Sequence, residues 1–181
     1  MSSKQNSQRL LTCLFAAVAL VAFYSPVAKS EVQIFACWED IVGGSEDRNF
    51  VGCSEVDSYS LIVGELDDGA DTKTKNPMQC EQNVSMQFDT ASPDLALLAL
   101  TKDTINFIVS FVDENNGMPD VVLVIDSTDW IVKRVASGGM SNDSPALQEI
   151  VFNPSGTNTT AIEKIKDDGS SIRRTLDCTN G

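Results

Sequence analysis

Hydrophobic and polar positions alternate along most of this chain with the period of a β-strand. From Thr104 to Val112, Ile105, Phe107, Val109 and Phe111 share one face. Asn106, Ile108, Ser110 and Val112 share the other, so this strand is expected to be partly covered on both sides. Gln82–Phe88 repeats the pattern, with Val84, Met86 and Phe88 opposite Asn83, Ser85 and Gln87. Ser58–Glu65 is aromatic and β-branched, and Val121–Ile125 is an unbroken apolar run of the kind a central strand carries. Asp129–Ala136, Gln148–Phe152, Ala161–Lys166 and Ser171–Cys178 complete a set of about eight predicted strands.

The connections are built from turn residues. Asp113 to Pro119 reads DENNGMP, a hairpin loop by composition, and Asp167-Asp168-Gly169-Ser170 is a tighter turn. Asp126-Ser127-Thr128 is expected to separate two strands, and Gly138 to Pro145 is expected to be a long loop. One short helix is predicted near 93–101: Ser92 can cap it, Pro93 suits its first turn, Asp94 favours the dipole, and LALLAL follows. Short strands at this spacing predict an all-β fold, an antiparallel sandwich or barrel.

The first 30 residues follow a different rule. Lys4 and Arg9 precede an apolar run from Leu10 to Tyr24, Pro26 breaks it, and Ala28-Lys29-Ser30 places small residues at −3 and −1 of a cut before Glu31. Residues 1–30 are therefore expected to be a signal peptide and 31–181 a single secreted or periplasmic β domain. A retained anchor is the rival reading, since Leu10–Ala28 is about long enough to span a bilayer. No basic cluster follows it to stop transfer, so no membrane association is expected after cleavage.

Export changes the meaning of the cysteines. Cys13 leaves with the leader, and Cys37, Cys53, Cys80 and Cys178 remain. Four cysteines in an oxidising compartment predict two disulfides with three possible pairings. Cys37–Cys53 with Cys80–Cys178 is the pairing preferred here. Zinc is disfavoured, because the chain has no C-x-x-C pair and no His.

Charge and composition then narrow function. The 181 residues carry 13 Lys+Arg, 26 Asp+Glu and no His, a formal charge of −13. Losing Lys4, Arg9 and Lys29 leaves 10 basic and 26 acidic residues, net −16 over 31–181. Phosphate neutralisation needs a basic face, so nucleic-acid binding is excluded. Without His, most catalytic triads and imidazole acid–base chemistry are excluded too. An anionic surface would attract a basic protein partner, as inhibitor-like proteins do.

Few local patterns carry chemistry. Glu65, Asp67, Asp68 and Asp71 share one loop and are the candidate Ca²⁺ ligands, although EF-hand spacing is absent: a glycine stands where the first ligand belongs. No other cofactor is implied. Phe88-Asp89-Thr90-Ala91-Ser92 is similar to the Asp-Thr-Gly-Ser turn of aspartic proteases over five residues, with Asp126-Ser127-Thr128 as the imagined second copy. Ala91 and Thr128 replace the glycine that the tight turn needs, so Asp89 reads instead as the end of a strand. Asn83, Asn142 and Asn158 lie in glycosylation sequons, and Trp38 and Trp130 could line a ligand surface or fill a core.

Three functions fit. The first is a non-catalytic binding or interaction protein. The second is a carboxylate-based polysaccharide hydrolase, which needs two acids facing across a cleft. The third is a structural envelope or matrix component, which an unpaired edge strand would favour.

Overall fold

The computed structural model describes residues 32–65, 78–115, 118–138 and 146–179. Eight strands form one sheet: β1 (Val32–Trp38), β2 (Ser54–Glu65), β3 (Met78–Gln87), β4 (Thr104–Asn115), β5 (Met118–Gly138), β6 (Leu147–Pro154), β7 (Thr157–Ile165) and β8 (Ser171–Thr179). A helix, α1 (Ser92–Thr101), lies between β3 and β4.

Pairing runs β2-β1-β4-β5-β6-β3, and β3 pairs back onto β2. Six strands thus close into a barrel, which removes the choice between barrel and sandwich in favour of the barrel. β7 and β8 form an antiparallel hairpin sharing the gap between β5 and β3 with β6. β7 pairs with Leu123–Ser127 of β5, whereas β6 takes the part from Trp130 to Gly138. Fold class is therefore all-β with one short helix and two disulfides, Cys37–Cys53 and Cys80–Cys178.

Alternation places the core. Ile105, Phe107 and Val109 point inward from β4, Val84 and Met86 from β3, and Ile150 and Phe152 from β6, all buried. Phe107 is the hub: its ring lies 4.6 Å from Phe152, 5.5 Å from Trp38 and 6.5 Å from Trp130. Both tryptophans are core residues, so neither lines an open surface. Leu95 of α1 enters the same cluster, as does the Cys80–Cys178 disulfide.

A second, smaller cluster lies outside the barrel. Phe35 and Cys37 point outward from β1 and are covered by the segment 39–53. Phe35 stacks on Phe50 with centroids 4.3 Å apart and planes 3° from parallel. This lid explains why β4 is covered on its second face at Val112, while Ile108, beyond it, stays 43% exposed.

Two local expectations differ from the structure. Asp126-Ser127-Thr128 does not break the chain; β5 runs through it, because Ser127 faces inward and pairs with Phe107 and Thr160 on its two sides. The irregularity falls instead near Asp129, which has φ +60 and lies where the β4–β5 register shifts. The helix is not capped by Ser92 either: Ala91 is the N-cap, and no side chain caps the helix. A turn leads into it instead, in which Asp89 Oδ1 accepts the Ala91 N–H at 2.9 Å and Ser92 Oγ accepts the Asp89 N–H at 3.0 Å.

Candidate functional surface

The barrel interior is filled, so chemistry must be sought at buried polar groups or on the exterior. The main interior polar group is Gln82, fully buried on β3. Its Oε1 accepts the Tyr59 hydroxyl at 2.6 Å, and its Nε2 donates to the buried Ser127 Oγ at 2.9 Å. Three strands are thereby tied by one amide. Burial pushes the Tyr59 phenol well above its usual range. The arrangement holds a proton firmly and offers no nucleophile, so it reads as structural.

A concavity of about 680 Å³ opens where β1 and β2 part. It arises because β1 and β2 pair over only three residues, Ile34–Ala36 with Ser54–Val56. Beyond Val56 a bulge at Asp57 turns β2 away, and it continues with β3 alone. The gap is lined by Val32 and Gln33 of β1, Glu55 and Asp57 of β2, Asp47 of the lid segment, and Asp89. No Lys or Arg lines it among the described residues.

Its walls are fixed by close backbone contacts. Gly43 donates to the Gly52 carbonyl at 2.6 Å, and a Cβ on Gly43 would meet the Cys53 carbonyl carbon at 2.3 Å. Gly44 donates to Asp89 Oδ2 at 2.9 Å, with no room for a side chain beside the Asp89 Cβ. Asp89 therefore joins the lid to the start of α1 through both of its oxygens. That is a positioning task, unlike the free carboxylate of a protease.

Glu65 ends β2, while Asp67, Asp68 and Asp71 lie outside the described residues, as does Asn142. Among the described residues no group of three or more Cys, Asp or Glu could hold a metal ion. Asn158 is buried and its amide donates to the Asp129 carbonyl, so the folded domain does not present it for glycosylation. Asn83 sits mid-strand in β3, paired on both sides. The Asp168 carboxyl, in the β7–β8 turn, is held below its usual range by the Ser170 hydroxyl and N–H. That shift is opposite to what a general acid needs. The gap between β1 and β2 was not legible in sequence, since it depends on where two strands part.

Among the described residues, no helix is long and apolar enough to cross a membrane. No family model matches the chain. No curated protein matches it either. Solved structures do. The chain is similar to Hcp1 from Salmonella typhimurium at 21% identity and TM-score 0.68, over 81% of this chain and 94% of that one. It is similar to a type VI secretion system effector from Yersinia pestis at 23% identity and TM-score 0.63, over 80% and 98%. It is similar to the secreted protein Hcp3 from Pseudomonas aeruginosa at 11% identity and TM-score 0.59, over 83% and 99%. At these identities the likeness shows the fold alone: the described strands take the fold found in Hcp proteins.

Proposed function

We propose that this protein is exported, cut before Glu31, and acts outside the cytoplasm as a non-catalytic interaction protein on an Hcp-like barrel. The observation that carries the reading is the packed interior. Trp38, Phe107, Trp130 and Phe152 fill the barrel and leave its exterior as the surface other molecules meet. Two disulfides suit an oxidising compartment. The structural neighbours, a secreted protein and a secretion-system effector among them, agree with that compartment. The finer reading is a basic protein partner, drawn by the net charge of −16 over 31–181.

The test has two parts. Expression of the full chain with a C-terminal tag should yield extracytoplasmic protein beginning at Glu31; a cytoplasmic product retaining residues 1–30 refutes export. Immobilised protein should retain a small cationic protein such as lysozyme at low salt and release it at about 0.5 M salt. Salt-insensitive retention, or none, removes the basic partner.

A further inference from the structure

The free edge of β2 lies directly beside the acidic gap. From Asp57 to Glu65 the strand pairs with β3 on one side and, among the described residues, with nothing on the other. Edges of this length are normally blunted by Lys, Pro or a covering element. From Ser58 to Glu65 this strand has no Lys or Pro, and among the described residues no element covers its edge: Leu61, Ile62 and Val63 follow one another, with Ile62 52% and Val63 40% exposed. The backbone groups along that edge need partners, and an incoming strand can supply them.

The geometry points to this edge as a strand-addition site for an extended, lysine- or arginine-bearing segment of another protein. The inference rests on the basic-partner reading above and gives it a location. An added strand would occupy the position β1 vacates when β2 bends away at Asp57. Its backbone would pair with 57–65, and its apolar side chains would cover Ile62 or Val63. A cationic side chain at its end nearest β1 would enter the gap, where Asp47, Glu55, Asp57 and Asp89 meet no lining cation. Backbone pairing supplies affinity without sequence preference, and the carboxylates select charge.

The probe is a fluorescent alternating Lys–Val peptide as long as 57–65, titrated into the full protein at low salt. Binding is expected, with about tenfold weaker binding by the Glu55→Lys/Asp57→Lys variant. Both residues are exposed, and Glu55→Gln/Asp57→Asn serves if the charge reversal disturbs folding. A peptide N-methylated along one edge should lose about tenfold in affinity, because it lacks the donors for pairing. Equal binding by the charge variant or by the methylated peptide overturns the site. So does an alternating Glu–Val peptide that binds as well as the Lys–Val one. If the protein retains lysozyme but not the Lys–Val peptide, the site fails while the basic-partner reading stands. Self-association of the protein that the peptide does not compete away assigns the edge to a second copy, and also overturns the proposal.

Discussion

Cys178 is joined to Cys80 where β8 runs parallel to β3, and among the described residues of β3 Met78 and Gln79 alone pair with β8. Both sulfurs are buried within the barrel core. The disulfide thus secures a contact that hydrogen bonding barely defines. Cys37–Cys53 does different work, fastening the lid to the outer face of β1.

Their contributions should differ accordingly. The loops closed span 98 and 16 residues, and chain entropy gives roughly 4–5 and 3 kcal/mol for these lengths. Cys80→Ala/Cys178→Ala should therefore lower stability more than Cys37→Ala/Cys53→Ala. Urea denaturation of the two double variants measures the order, and the reverse order would refute this account.

The Tyr59 phenol should resist ionisation. Burial raises its pKa in the fold, whereas in the unfolded chain it titrates near its usual value of about 10. The folded state then holds a proton that the unfolded state releases. The associated stability is present below about pH 10 and lost as the pH rises beyond it. Phenolate absorbance should show Tyr59 ionising together with unfolding, while Tyr59→Phe should unfold at higher pH than the parent. A Tyr59 that titrates freely in the intact fold refutes the burial of its phenol.

Gly43 should tolerate no side chain. Its Cβ would meet backbone on the neighbouring segment, which cannot rotate away as a side chain can. Gly43→Ala should cost about 2–4 kcal/mol, in the range of other severe steric lesions. Gly138→Ala, which meets open space, should lie within about 0.5 kcal/mol of the parent. Equal melting temperatures for the two variants would show that the lid segment is not seated against Cys53.

Much of this fold was legible because strand alternation is a local property. The faces of β4 and the inward placing of Val84 and Met86 follow directly from it. Phe88, predicted on that same face, lies beyond the end of β3 and is 49% exposed, because the chain turns there toward α1. The number of strands agrees by a less direct route. β1, reading VQIFACW, was not among the predicted strands, since its two faces are both apolar and show no alternation. The turn residues 126–128 suggested two strands where β5 is one, because a buried partner at Gln82 satisfies Ser127 within the sheet. Barrel closure, and the gap where β1 and β2 separate, depend on long-range pairing that no local pattern records.

The register of β4 gives the sharpest test of the core. Phe107 and Ile108 are neighbours in sequence but face opposite ways, the first 2% exposed at the centre of the aromatic cluster and the second 43% exposed. Truncating a buried Phe removes its transfer free energy and leaves a cavity, together about 3–5 kcal/mol. Phe107→Ala should therefore destabilise by about that amount, and Ile108→Ala by about 0.5 kcal/mol or less. Because the side-chain period is two, a strand shifted by one residue would exchange these outcomes. Chemical denaturation of the two variants decides it: comparable losses, or a larger loss at Ile108, would mean that β4 does not face the barrel in this register, and the packed interior that directs binding to the exterior would lose its basis.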